Sequence, residues 1–157
     1  MYVPIGFLTP DILVNNKLQV MRDGGLFEFG VLSSKVHNSW IRTIGGRLRE
    51  DYTYSVSVIY NTFPWCEPSV KQKQVIEKTA QGILDARNKY PESSLADLYI
   101  DIVMPPELRK AHQENDKAVM AAYGIKPSDE EYKSESACVA MLMRLYQEKI
   151  IAMENKG

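Results

Sequence analysis

The segment of residues 29–49 has the side-chain types that bind a polyanion. It contains no acidic residue, although the whole chain of 157 residues has a net charge of -1. Its cations are Lys35, Arg42, Arg47 and Arg49, and its compact hydrogen-bonding groups are Ser33, Ser34, His37 and Asn38. Basic side chains hold phosphates, while short polar side chains reach the base edges between them. The segment is therefore a candidate DNA-binding surface, and the alternative is a helix with an ordinary solvated basic face.

The apolar residues of this segment predict the element that positions its polar groups. They recur at intervals of three and four residues, at Phe29, Leu32, Val36 and Trp40. This spacing is typical of one buried face of a helix, here over residues 26–44. Lys35, Asn38 and Arg42 recur at the same spacing on another side of that helix. A Gly-Gly pair at residues 45–46 ends the helix and leaves the last two arginines on a loop that can approach a nucleic-acid backbone closely.

Stretches of β-favouring residues on both sides of this helix predict a small sheet. Residues 2–8 have the composition of an edge strand, and residues 18–21 that of a short strand. Packed and polar residues alternate over residues 52–60, as in a strand with one buried face. Helical patterns with capping residues follow at 69–89, 93–100, 105–123 and 128–153. We predict an α+β fold with a small mixed sheet and one amphipathic helix, followed by a mainly α-helical C-terminal bundle.

Composition narrows the classes of protein to consider. Hydrophobic residues make up 45% of the chain and charged residues 25%, as in globular proteins. The two cysteines, Cys66 and Cys138, are far apart and lack metal-ligand spacing. They indicate a reducing, cytoplasmic environment, with no disulfide framework and no metal site. No apolar run approaches the length of a membrane span, so we expect no membrane partner. The low net charge leaves any attraction for a polyanion to a local patch.

The sequence contains no clear catalytic motif. Residues 61–65 resemble the Asn-Pro-Pro-Tyr motif of amino-methyltransferases only faintly, because Thr and Phe separate Asn61 from the single proline, and no glycine-rich cofactor loop precedes them. We interpret this segment as a structural junction in which Phe63 and Trp65 pack the helices. Cys66 and His112 are the residue types of a thiolate nucleophile and its base, yet nothing in the sequence brings them together. We predict no catalytic residue in this chain.

Longer motifs show a resemblance to a known family. Four runs occur in this order: YVPIGFL, FEFGVLSSKVHNSWIRTIGGRL, DYTYS and VIYNTFPW. They resemble the end of the target-recognition domain of MmeI-like DNA methyltransferases, the type IIL restriction–modification group. Residues 83–99 and 104–119 resemble the helical C-terminal domain of the same family. Thr53, Thr62 and Cys66 depart from the family pattern, and Thr53 stands where the family has an arginine that is a possible DNA contact.

This resemblance implies a function and a domain division. Residues 1–66 are expected to be the C-terminal portion of a DNA target-recognition domain, and residues 67–157 a helical C-terminal domain. The chain would be the sequence-recognition fragment of a bacterial adenine-specific DNA methyltransferase, without the catalytic and nuclease domains. No cofactor is expected in the fragment, whereas the parent enzyme would use S-adenosylmethionine. The expected partners are double-stranded DNA and the methyltransferase domain of the same parent chain.

The DNA-binding residues are expected from two sources. The resemblance carries over Ser33, Ser34, His37, Arg42, Arg47, Tyr52 and Tyr54. The residue types alone add Lys35, Asn38 and Arg49. The alternative function is a helical protein–protein interaction module with no DNA affinity of its own. That alternative predicts an exposed apolar stripe on the helix of residues 132–153.

Overall fold

The computed structural model describes residues 2–9, 11–13, 19–48 and 51–155, and the side chains of residues 46–48 and 51–53 lie outside that description. The helices are α1 Leu26–Leu32, α2 Lys35–Ile44, α3 Val70–Arg87, α4 Leu95–Leu98, α5 Pro106–Ala122, α6 Glu130–Lys133 and α7 Glu135–Glu154. The strands are β1 Gly46–Leu48 and β2 Asp51–Thr53, and a π-helical turn spans Val56–Tyr60. None of the described helices combines the length and the apolar character that crossing a membrane requires.

The predicted α+β fold class with a mixed sheet is wrong, because the described part of the chain is mainly helical. Its strand pairing is limited to one antiparallel hairpin of β1 and β2, in which Arg47 lies opposite Tyr52. Residues 2–9 do not form a strand, and neither do residues 19–21; residue 18 lies outside the described residues. Neither segment pairs with another strand of the described residues, although both have β-favouring side chains, so composition alone misassigned them.

The predicted strand over residues 52–60 ends early for a local reason. β2 stops at Thr53, and Ser55 begins the π-helical turn by accepting a hydrogen bond from the Val58 N–H at 3.4 Å. Ile59 is then buried and Val58 is 46% exposed. Alternating apolar and polar residues fit a strand, yet a serine that binds the backbone two or three residues later favours a turn. At Ser55 the hydroxyl thus favours the π-helical turn over a longer β2 strand.

The predicted helix over residues 26–44 is two helices, α1 and α2, separated at Ser33 and Ser34. Ser34 has an extended backbone, with φ -79° and ψ 159°. Its hydroxyl donates to the Val31 carbonyl at 2.6 Å and accepts from the His37 N–H at 3.4 Å. Serine hydroxyls compete with the helical backbone in this way, which makes serine a capping residue. As a result α2 begins at Lys35 with its amino end against α5.

The helices after Pro68 lie largely where the sequence predicted them. Ser69 and Gln72 form a capping box at the start of α3, and Pro106 occupies the first turn of α5. Gly124, with φ +78°, follows the end of α5 in the left-handed region that favours glycine. The predicted final helix is interrupted once, because Ser134 caps α7 by accepting from the Ala137 N–H.

The core has two clusters of buried apolar side chains. The first joins α1, α2, α3, α5, α7 and the π-helical turn, through Val31, Val36, Trp40, Ile41, Ile59, Phe63, Ile76, Val119, Cys138 and Leu142. The second joins α1, α3 and α5 with α4, through Phe29, Ala80, Ile83, Leu98, Tyr99, Met104 and Leu108. Both clusters include residues from each side of the predicted domain boundary at residues 66–67. That boundary remains a prediction.

Candidate nucleic-acid interface

The four uncharged polar residues around the start of α2 lie inside the protein. Ser33, Ser34 and His37 have no exposed surface, and Asn38 is 1% exposed. The Asn38 side chain accepts a hydrogen bond from the Val3 N–H at 2.8 Å and donates one to the Ser34 carbonyl at 2.7 Å. A side chain without accessible surface cannot contact a base edge. The expectation that these four residues touch DNA directly therefore does not fit their placement.

The two cations of α2 hold this helix against the helices that follow it. Lys35 donates from Nζ to the Tyr132 carbonyl at 3.3 Å. Arg42 makes a two-point contact with Glu135, the first residue of α7, with Nε 2.7 Å from Oε1 and Nη2 3.1 Å from Oε2. The carboxylate offsets the charge that a phosphate would otherwise meet. Lys35 and Arg42 are thus weaker candidates for phosphate contacts than the sequence indicated.

The remaining predicted residues belong to the β1–β2 hairpin or follow it. Arg47 in β1 is paired with Tyr52 in β2. Arg49 lies outside the described residues. Tyr54 is the first residue after β2 and is half-buried. Arg47 and Tyr52 thus belong to the paired strands, and Tyr54 follows them directly.

Both ends of the hairpin are attached to α2. At the start, the Gly45 N–H donates to the Ile41 carbonyl at 2.8 Å. A side chain at this glycine would collide with that carbonyl and would lie 3.3 Å from Cδ1 of Ile59. At the end, the Tyr54 hydroxyl is 3.1 Å from Nε2 of His37. The hairpin therefore leaves and rejoins the helical body at one helix.

The His37–Tyr54 pair is uncharged near neutral pH. Burial lowers the pKa of His37 to about 3, so the imidazole is neutral. Burial, with a smaller contribution from neighbouring Tyr60, raises the pKa of Tyr54 to about 12, so the phenol keeps its proton. Their hydrogen bond joins two neutral groups, and the Phe63 ring packs edge-on against His37, with centroids 4.5 Å apart.

A second buried polar network, which the sequence analysis missed, holds residues 2–5. The Tyr2 hydroxyl donates to Oδ2 of Asp116 at 2.6 Å, and its ring stacks on His112 with centroids 4.1 Å apart. The Arg87 guanidinium donates to the Ile5 carbonyl at 2.6 Å and to the Tyr99 hydroxyl at 3.0 Å. These partners are separated by up to 114 residues, so no local motif shows them.

One signal of that network was present in the sequence. The face of α5 that carries Leu108 and Val119 also carries His112 and Asn115, at helical spacing, and all four are buried. Polar residues on a buried face need partners inside the protein. His112 has its partner in Tyr99, whose hydroxyl is 2.6 Å from Nε2. A nucleophilic pair of Cys66 and His112 is accordingly absent: Cys66 belongs to the first core cluster, and burial raises the pKa of its thiol to about 11.

The described residues offer little else that could hold a ligand. An open cleft of about 340 Å³ is lined by Tyr2, Lys35, Gln113, Asp116, Lys117, Met120 and Tyr132. A second, of about 420 Å³, lies between residues 65–67, the end of α5 and the end of α7. Within the part of the chain that the structure describes, no group of three or more His, Cys, Asp or Glu residues is placed to hold a metal ion. The segment that joins Asn61 to Trp65 is a packing junction, with Phe63 4% exposed.

Comparisons with known proteins now identify the class. Residues 1–67 match the family described as MmeI, target recognition domain, and residues 68–154 match the family described as MmeI, C-terminal domain. DNA methyltransferase A of Bacillus subtilis (strain 168) is 37% identical over 147 residues, which is 94% of this chain and 16% of that protein. A solved structure of the type IIL restriction–modification enzyme MmeI in complex with DNA is 48% identical, with a TM-score of 0.74, over 80% of this chain and 16% of the other.

The chain therefore joins a target-recognition region of the MmeI type to a C-terminal domain of the same type. It belongs to the MmeI family. It spans 16% of the length of each of the two relatives.

Proposed function

We propose that this chain binds double-stranded DNA through the β1–β2 hairpin, on behalf of a larger site-specific methyltransferase. The observation that carries the proposal is the similarity of 80% of this chain to an enzyme whose structure was solved in complex with DNA. The geometry supports the hairpin as the contact element. The four predicted polar contacts around the start of α2 are buried, and its two cations contact other parts of the chain, whereas Arg47 belongs to β1.

The physical mechanism has two parts. Arginines at residues 47 and 49 neutralise phosphates and release counterions, which provides affinity that falls with salt. Polar side chains of the hairpin, including Tyr52, reach base edges, and each good two-point base contact contributes about 1–3 kcal/mol of discrimination. The helical body holds both ends of the hairpin through α2. In the parent enzyme, we propose, a methyltransferase domain that uses S-adenosylmethionine then acts on an adenine flipped from the stack.

A salt titration of duplex binding tests the proposal. Fluorescence anisotropy of a labelled duplex with the 157-residue chain is expected to show an affinity that falls steeply between about 50 and 200 mM salt. The double variant Arg47→Ala/Arg49→Ala is expected to reduce the slope of log Kd against log salt by about 0.9 for each phosphate that the variant no longer neutralises. The matched control is Lys71→Ala/Lys78→Ala, which removes the same charge from the exposed side of α3.

Each result has a definite meaning for this proposal. Weaker binding in the hairpin variant and unchanged binding in the α3 variant support it. Equal reductions of affinity in both variants point to a non-specific effect of net charge and contradict the role of the hairpin. Absence of duplex binding at low salt contradicts the proposal as a whole.

One observation favours a second candidate, an interaction module of the helical half. The last turns of α7 leave apolar side chains in water, with Ile151 56% exposed and Met153 73% exposed. Earlier in the same helix Cys138 and Leu142 are fully buried, so the exposed stretch is confined to its end. Such surfaces mark contacts with other proteins or domains. This candidate predicts no duplex affinity, so the same titration separates the two functions.

A further inference from the structure

We propose that His37 is a positioning residue, which fixes the β1–β2 hairpin for duplex binding through its hydrogen bond to Tyr54. The inference rests on the proposed function, because it takes the hairpin as the element that contacts DNA. His37 has no accessible surface and so cannot be a direct contact. Its Nε2 atom is nevertheless only 3.1 Å from the hydroxyl of the first residue after β2.

The hairpin depends on its attachments because it is too small to be stable alone. Each strand has three residues, and an isolated two-stranded hairpin is marginally stable at best in water. Its position relative to the helical body is therefore decided at its two ends. Gly45 fixes the first end by close backbone contact with Ile41, and Tyr54 fixes the second by its contact with His37.

His37 is itself held rigidly in the core. Its backbone N–H donates to the Ser34 hydroxyl before α2. Its ring packs edge-on against Phe63, with centroids 4.5 Å apart. One turn further along the same face, Nε1 of Trp40 donates to the Ile59 carbonyl at 3.2 Å. The same face of α2 therefore fixes both Tyr54 and the π-helical turn that follows it. Tyr54 links this rigid face to a strand that carries Tyr52, two residues earlier.

Two kinds of variant separate positioning from general stability. Tyr54→Phe removes only the hydroxyl of a half-buried side chain, and His37→Leu removes the partner on α2. His37→Gln keeps a polar group near the position of Nε2 and serves as the conservative variant. The control is Ile76→Val, which shortens a fully buried side chain on α3 in the first core cluster and removes no polar contact to the hairpin. Chemical denaturation identifies the conditions at which control and test variants have equal free energies of unfolding.

The first readout is amide hydrogen exchange in residues 46–54, measured on the full chain without DNA. Tyr54→Phe and His37→Leu are expected to speed exchange there by about fivefold, the factor that one neutral hydrogen bond supports. Ile76→Val, at matched stability, is expected to leave the hairpin amides unchanged. His37→Gln is expected to restore slower exchange. Equal acceleration in the Ile76→Val control would overturn the inference, whatever the result with DNA.

The second readout is the Kd for duplex DNA at fixed salt. Tyr54→Phe and His37→Leu are each expected to raise Kd by about fivefold, and the double variant by no more than either single change, because both break one bond. Independent, multiplying effects would contradict action through Tyr54. If the wild-type chain binds no duplex, the proposed function fails, while the exchange experiment still decides whether His37 holds the hairpin.

Discussion

Asp116 on α5 accepts a hydrogen bond from the backbone N–H of Lys35, the first residue of α2, at 2.6 Å. The other oxygen of the same carboxylate accepts from the Tyr2 hydroxyl, also at 2.6 Å. A carboxylate at this position offsets the positive end of the α2 dipole and occupies a donor that the helix leaves unpaired. One side chain of the C-terminal half thus fixes the amino end of α2 and the segment of residues 2–5.

Removal of this carboxylate is expected to destabilise the fold. Asp116→Ala leaves the Lys35 N–H and the Tyr2 hydroxyl without their acceptor, which costs about 1–3 kcal/mol of unfolding free energy. Asp116→Asn is expected to destabilise less, because the amide oxygen still accepts from the backbone N–H. Urea denaturation followed by circular dichroism measures both changes. Wild-type stability in the alanine variant would show that this contact contributes nothing.

Two glycines on facing helices are expected to respond in opposite directions to the same change. A Cβ at Gly30 on α1 would lie 2.7 Å from Cγ2 of Ile76 and 3.1 Å from Cβ of Ala80. Gly30→Ala is therefore expected to cost about 1–3 kcal/mol through overpacking. Gly82 on α3 has nothing within 4 Å of its added Cβ. Gly82→Ala is expected to stabilise the chain by up to about 1 kcal/mol, through helix propensity. Thermal denaturation of the two variants checks both signs.

The sequence predicted the helices well and the strands poorly, for a physical reason. Helix signals are local: the helix start predicted at residue 69 and the proline at residue 106 mark boundaries that the structure confirms. A strand exists only with a partner strand, and residues 2–8, despite their β-favouring side chains, pair with no strand in the part of the chain that the structure describes. Their stability comes from Asp116 and Arg87, which are distant in sequence and therefore invisible to pattern analysis.

The candidate site shows the same limit. Residue type and spacing marked His37 and Asn38 as polar groups on a basic helix, and a polar residue is usually exposed. In the structure both are buried, because each has a specific internal partner, Tyr54 and the Val3 N–H respectively. The sequence does not show which polar groups bind each other and which are left for a ligand. That distinction requires the tertiary structure.

The ion pair between Arg42 and Glu135 is expected to contribute little stability and to respond to salt. The Arg42 side chain is 27% exposed and that of Glu135 is 46% exposed. Pairs at such positions contribute about 0.2–1 kcal/mol and are screened by added salt. A double-mutant cycle with Arg42→Ala and Glu135→Ala measures the coupling, by urea denaturation at low and high salt. Coupling well above this range, or insensitive to salt, would contradict a partly solvated pair.

Arg42→Ala is also expected to weaken duplex binding less than Arg47→Ala does. Glu135 lies 2.7 Å from Arg42 and offsets its charge. Removing Arg42 therefore lowers the positive potential of the surface less than removing an arginine without such a carboxylate would. Anisotropy titrations of both variants with the same duplex provide the comparison. In the Glu135→Ala background, which removes the carboxylate 2.7 Å from Arg42, the difference between the two arginines is expected to narrow. A larger effect of Arg42→Ala in the wild-type background would place the contact surface on α2 instead of the hairpin.

The two buried histidines are expected to make the fold sensitive to mild acid. Burial lowers the pKa of His37 and of His112 to about 3, whereas a histidine of the unfolded chain titrates near about 6.5. Above a pH of about 6.5 both histidines are neutral in the folded and in the unfolded chain, so protonation does not reduce the free energy of unfolding there. Below it, only the unfolded state takes up the protons, and each histidine costs about 1.4 kcal/mol per pH unit. Asp116 acts in the opposite direction, because burial raises its pKa.

The range from about pH 6.5 to 5 separates the histidines from the exposed carboxyl groups, which titrate below it, and Asp116→Asn serves as the background that removes the opposing carboxyl. Urea denaturation at several pH values is expected to show a falling free energy of unfolding across the range. His37→Gln, which cannot titrate, is expected to reduce the slope by about half, because His112 alone then remains. A slope unchanged by this substitution would mean that His37 is not neutral in the folded chain, and the uncharged hydrogen bond to Tyr54 would then be wrong as well.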